Sequence, residues 1–157
     1  MYETDNIDLQ IIDLLIDNGR MPAAEIARRI GGISERAVRY RIERMTSDGL
    51  IKISAIVNPR KFGYPLAADI VIEVETNQIQ AVGEAMAMNE YVTYVACSIG
   101  EKDLSVQVVA NSADEIYYFA TQVIGKIPGV IKTTTSIVPI VLKDVYQWRI
   151  PHQPDMK

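Results

Sequence analysis

Residues 34–45, Ser-Glu-Arg-Ala-Val-Arg-Tyr-Arg-Ile-Glu-Arg-Met, place four arginines and a tyrosine within twelve positions. A guanidinium is a planar, permanently charged fork that fits phosphate oxygens or the N7/O6 edge of guanine. The spacing predicts one helix. Ser34 is a suitable N-cap, and Val38, Ile42 and Met45 recur at i, i+4 and i+7 as one apolar stripe. At about 100° per residue, Arg36 and Tyr40 point nearly opposite that stripe, and Arg39 and Arg44 flank these two. Arg41 lies near the buried edge, where it either pairs with an acid, braces the helix or reaches the anion. A helix with one buried face and arginines on the other is built to meet an anion.

Other chemistries have little to work with. The chain holds one histidine, His152, and one cysteine, Cys97. No paired carboxylates, metal-ligand spacing, nucleophile elbow or phosphate loop is present, so neither catalysis nor a metal or cofactor is expected. Cys97, within Tyr94-Val95-Ala96-Cys97, reads as a buried structural thiol.

The helix needs a frame. Residues 6–17 show apolar residues at helical spacing, with Asp5 as N-cap and Asn18-Gly19 as the stop. A second helix starts at Pro22 and runs to about Ile30. Gly31-Gly32 turns into the arginine helix, which ends at Asp48-Gly49. Residues 51–57 alternate as a strand. This order predicts a three-helix, winged helix-turn-helix over residues 1–50, followed by a strand and hinge over 51–66 with two prolines and a glycine. Residues 67–143 then read β-α-β-β-α-β, a ferredoxin-like domain, which makes the chain α+β. Its helices cover one sheet face. Apolar residues on the other face call for a second chain, hence a homodimer. In the tail, 144–157, the alternation of Tyr146, Trp148 and Ile150 suggests an edge strand, with Trp148 at an interface.

Charge is distributed to match. The chain of 157 residues carries a net charge of −4. Residues 28–60 hold eight Lys/Arg against three Asp/Glu, a local +5, which leaves −9 on the rest. A basic patch on an acidic body is the footprint of a nucleic-acid binder. No apolar run approaches the roughly 18–20 residues of a membrane span, and the acidic, amphipathic N-terminus does not read as a signal peptide. A cytoplasmic protein is expected.

Double-stranded DNA is thus the expected partner. A recognition helix enters the major groove by its N-terminal part. Arg36, Arg39 and Tyr40 are the candidates at or near base edges, Glu35 is suited to accept from a cytosine amino group, and Ser34 at the start of the helix is counted with the DNA-binding residues. Arg44 and Lys52 are placed for phosphate, and Arg28 and Arg29 for the DNA backbone.

The two halves together resemble the leucine-responsive regulatory protein/asparagine regulator (Lrp/AsnC) family over about residues 5–143. The resemblance rests on Asn6 to Ile12, Glu25 to Ile30, Ser34 to Met45 with Gly49-Leu50-Ile51, Asn58-Pro59 with Phe62-Gly63-Tyr64, Gly100-x-x-Asp103-Leu104, and Pro128-Gly129-Val130 with Thr133-x-Thr135. It departs from the family at the doubled glycine, Gly31-Gly32. The resemblance implies a transcriptional regulator that forms dimers and higher even assemblies such as octamers. It also implies a small-molecule effector, an amino acid or a relative, held by Gly100, Asp103, Thr133 and Thr135. Two other readings stay open: a DNA-architectural protein without effector, and a tetrapyrrole-decarboxylase-like enzyme on the same fold.

Overall fold

The computed structural model describes residues 3–100 and 102–151. His152 and Glu101 therefore lie outside the described residues. The chain divides into two compact units, Met1–Ile56 with Lys143–Lys157, and Val57–Leu142.

The first unit holds α1 (Asn6–Asp17), α2 (Ala23–Ile30) and α3 (Glu35–Ser47). Asp5 caps α1 in a capping box with Asp8, and Ser34 caps α3 by accepting from the Ala37 N–H. Pro22, the expected first helical residue, is instead the N-cap of α2, which begins one position later at Ala23. Its ring lacks the N–H that the first turn leaves unused, so either position suits it. Gly31 and Gly32 have φ of 74° and 68°. Both sit in the left-handed region that costs a side-chain-bearing residue energy, so the doubled glycine is used twice to bend the chain between α2 and α3. The core is Ile11, Ile12, Met21, Ile26, Val38 and Met45, with Ile33, Ile42 and Ile150 packed against it.

Two expected strands are absent. Residues 51–57 form no strand among the described residues. A strand needs a neighbour for its N–H and C=O groups, and this unit supplies none. The tail also departs from the expected edge strand. It forms a 3-10 turn, Val145–Gln147, capped by Asp144, whose backbone N–H is received by the Gln147 side chain. Local capping competes with strand pairing and prevails where no sheet edge is offered. Beyond the turn, Arg149 pairs with Asp17 on α1 and approaches Asp13 at 3.8 Å.

The second unit begins with a 3-10 turn at Pro59–Phe62, capped by Asn58. Then follow β1 (Leu66–Val74), α4 (Ile79–Ala87), β2 (Val92–Cys97), β3 (Leu104–Ala110), α5 (Ala113–Tyr118) and β4 (Val130–Val138). The helix begun by α5 continues as wider and tighter turns to Lys126. The strands form one antiparallel sheet in the order β2-β3-β1-β4, with β1 central between β3 and β4. Alternate residues of β1 and β3 (Ala68, Ile70, Ile72, Val74, Leu104, Val106, Val108, Ala110) meet Val82 and Met86 of α4 and Ile116 of α5 in the core. The opposite face is more mixed than expected. By register, Val71 and Val109 share it with Asp69, Glu73, Gln107, Lys132 and Thr134. β4 ends at Val138, four residues short of the expected Leu142. Cys97 is exposed rather than buried. It lies at the end of β2, an edge strand with a neighbour on one side only.

Candidate nucleic-acid interface and effector region

The arginine helix forms over nearly the expected residues, with Val38 and Met45 fully buried and Tyr40 61% exposed on the other side. Arg36, Arg39, Arg44 and Lys52 are exposed. Their environments differ. Arg39 Nε donates to Glu35 Oε1 at 3.0 Å, and Nη2 donates to the same oxygen. Arg36 makes no ion pair among the described residues. Glu43, exposed one turn beyond Arg39, is a second carboxylate on this surface. It sits toward the C-terminal half, away from the end that would enter a groove.

Arg41 resolves differently from its neighbours. Its Nη1 donates to Asp8 Oδ1 at 2.8 Å and to both oxygens of Asp5 at 2.9 and 2.8 Å. The Asp8 side chain is 1% exposed, and it is the only buried charged residue among those described. The hydrogen bonds that it donates to Asp8, then to Asp5, hold the guanidinium pKa above its ordinary value. The Asp8 backbone N–H, then Arg41, hold the Asp5 carboxyl below its ordinary 3.8. Arg41 therefore locks α3 onto the start of α1 and is spoken for structurally. In the sequence Asp8 stands only as a polar break in the apolar run of residues 6–17. The signal that could have found it was Arg41 itself, an ionic group placed at a buried edge that required a partner.

On α2, Arg29 Nε and Arg28 Nε donate to Glu25 at 2.8 and 3.0 Å. Arg29, then Arg28, hold the Glu25 carboxyl below its ordinary 4.5. These two arginines are partly neutralised, which weakens their expected phosphate role relative to Arg36.

In the second unit, the four expected effector residues fall into two groups. Gly100, with φ of 142°, and Asp103 lie in the turn joining β2 to β3. Asp103 Oδ2 accepts the Val74 N–H at 2.8 Å, and the Ser98 N–H donates to the Asp103 carbonyl at 2.8 Å. The carboxylate thus pins the turn to the end of β1. Thr133 and Thr135 stand opposite Ile72 and Ile70 on β4. β1 separates them from β3, which is two strand spacings or about 10 Å. None of the four lines the cleft of about 250 Å³ in this unit, which is bounded by Tyr91, Ala110, Ile116, Tyr118 and Phe119. Neither of the two clefts described is lined by Gly100, Asp103, Thr133 or Thr135.

The comparisons follow the same division. A winged helix-turn-helix DNA-binding model matches residues 4–52, and the Lrp/AsnC ligand binding domain matches residues 68–147. The chain belongs to the Lrp/AsnC family. It is 37% identical over 140 residues to a protein of Pyrococcus furiosus named as an uncharacterized HTH-type transcriptional regulator, a span covering 88% of this chain and 94% of that one. Among solved structures it is similar to AsnC of E. coli, with a TM-score of 0.83 at 25% identity, covering 92% of this chain and 99% of that one. A transcriptional regulator of Neisseria meningitidis, solved as a complex with L-Met, has the same fold (TM-score 0.83, 20% identity, 90% and 94% covered). As an Lrp/AsnC member, this chain combines a DNA-binding helix-turn-helix with a ligand-binding α+β domain. Among the described residues, no helix is long and apolar enough to cross a membrane.

Proposed function

We propose that this Lrp/AsnC protein reads a specific operator with α3, and that an amino acid or related molecule changes its assembly and hence its DNA binding. The observation that carries the reading is the Ser34-capped helix presenting Arg36, Arg39 and Tyr40 to solvent while Arg41 is consumed by the fold. Arg36 and Arg39 contact base edges. Ser34, Glu35 and Tyr40 complete the surface, and Arg44 and Lys52 hold phosphate. Two such helices in a homodimer, about one DNA turn apart, match a roughly palindromic site.

Gly100, Asp103, Thr133 and Thr135 serve the effector where copies meet. Their separation within one chain supports a site completed by another copy. The complex of a fold neighbour with L-Met supports an amino acid as the effector class. Even assemblies above the dimer, a cytoplasmic location and the absence of enzymatic activity belong to the same reading. The regulator names of its relatives support the last of these. An effector acts by binding one assembly better than another, since equal affinity shifts nothing.

The test is a gel-shift with Arg36→Ala/Arg39→Ala, which should abolish operator binding while dimerisation persists. Unchanged specific affinity would sink the assignment. A thermal-shift screen of the twenty amino acids identifies the effector, because a ligand bound only by the folded state raises apparent stability.

A further inference from the structure

Arg39 and Glu35 are joined in a way that leaves a defined part of the guanidinium unused. The two hydrogen bonds come from Nε and Nη2 and meet at Glu35 Oε1. These two nitrogens form the side edge of the guanidinium. The end edge, Nη1 with the outer hydrogen of Nη2, remains open, and it presents two parallel donors. Such a fork fits the N7 and O6 acceptors of guanine in the major groove.

The pair also draws the Arg39 head one turn toward the N-terminus of α3, because Glu35 precedes it by four residues. That end of a recognition helix lies deepest in the groove. Glu35 is favoured there by the helix dipole, and a lone carboxylate at that position would repel phosphate. With Arg39 attached, the pair is neutral. It adds little to the electrostatic attraction for DNA, which Arg36 can supply in full because it makes no ion pair among the described residues. Glu35 has its acceptor committed to Arg39, so it has less to offer a cytosine than the sequence alone suggests.

We propose that Glu35 is a positioning residue for Arg39: it holds the guanidinium by its side edge so that the end edge selects a guanine at one position of each half-site. This rests on the reading of α3 as the recognition helix. The pair adds selectivity for that guanine with no net charge, while Arg36 at its own base edge and Arg44 and Lys52 on phosphate carry the charge that attracts DNA.

The experiment is selection of binding sites from randomised duplexes by the full-length protein, followed by competition binding with single-base variants of the selected site. Wild type should prefer guanine at a position where Arg39→Ala loses the preference, a loss of about 5- to 150-fold for a bidentate contact. Glu35→Ala should lose most of the preference that Arg39→Ala loses at the same position, and no more than that, while binding random duplex as tightly as wild type or more tightly. Glu35→Gln keeps an acceptor for Arg39 and should restore part of the preference. Glu35→Ala/Arg39→Ala should match Arg39→Ala alone, since the residues act as a unit.

The proposal is overturned if no guanine position depends on Arg39, or if Glu35→Ala keeps the guanine preference. It is also overturned if the double variant loses selectivity at a further position, which would mean Glu35 reads a base directly. Failure of the underlying reading looks different: Arg36→Ala/Arg39→Ala would then still bind the selected site with wild-type affinity.

Discussion

Replacing Arg41 by alanine removes the guanidinium that satisfies Asp8, whose side chain is 1% exposed. Asp8 would keep one hydrogen bond, from the Asp5 N–H at 3.1 Å. Breaking a fully buried ion pair costs about 3–5 kcal/mol, and breaking an exposed one about 0–1 kcal/mol. The Arg41 side chain is 26% exposed, so water reaches part of the vacated space and the cost falls between these limits. About 2 kcal/mol is expected, on interpolation between them. For a unit of this size that corresponds to a fall in melting temperature of about 8–16 °C. Trp148, the chain's single tryptophan, belongs to the same unit and reports its unfolding by fluorescence in a denaturant titration. Asp8→Asn/Arg41→Met replaces both charges by neutral groups of similar size and should recover most of the loss. The salt dependence of DNA binding should be unchanged by Arg41→Met, whereas Arg44→Ala should reduce the slope by about 0.9. The reasoning is refuted if Arg41→Ala costs under about 0.5 kcal/mol, the behaviour of an exposed pair, or if Arg41→Met reduces the salt slope as Arg44→Ala does.

Acid should destabilise the first unit. Asp5 and Glu25 are held below their ordinary values of 3.8 and 4.5, so their contribution is full above those values and is lost as the pH falls through the lowered ones. The Trp148 transition should weaken from about pH 5 downward, and Asp5→Asn/Glu25→Gln should flatten that dependence; equal slopes would refute it. Asp103→Asn keeps an oxygen for the Val74 N–H and should retain stability while losing the assembly shift caused by an amino acid. Asp103→Ala should lose that shift and also about 1 kcal/mol of stability, the usual net worth of one hydrogen bond. Wild-type effector binding by Asp103→Asn in calorimetry would place the site elsewhere. Ile150→Ala should cost the first unit about 1 kcal/mol for a half-buried side chain, measured by the same fluorescence transition, and no change would mean the tail contributes nothing to that core.

What the sequence disclosed was mostly periodic. The stripe of Val38, Ile42 and Met45 and the alternation through Ile70, Ile72 and Val74 each follow from a single element burying one face, and each formed nearly where expected. What failed needed knowledge of a neighbour. Ile51 to Ile56 and Tyr146 to Ile150 alternate equally well, yet no strand lies beside them among the described residues of their unit, and the Asp144–Gln147 caps prevail in the tail. Cys97 looked buried from its apolar neighbours, but its strand is at the sheet edge. The role of Asp8 is not legible locally because its partner is 33 residues away. The Glu35–Arg39 pair has the i, i+4 spacing that makes it legible in principle, but the choice of guanidinium edge is a matter of geometry. The grouping of Gly100 and Asp103 apart from Thr133 and Thr135 depends on strand order, which short motifs do not encode.

The first unit is assembled from both ends of the chain, and this sets an order of events during synthesis. At about 5–20 residues per second, a ribosome needs roughly 5–20 s to travel from the end of the unit's first segment to Ile150. Throughout that interval the three helices exist without Arg149 on Asp17 and without Ile150 against their core. The whole ligand-binding domain is made in between. A nascent chain therefore has its sheet before its DNA-binding unit is complete, and a chain cut short within β4 keeps its arginines but never receives the segment that closes the helices they stand on.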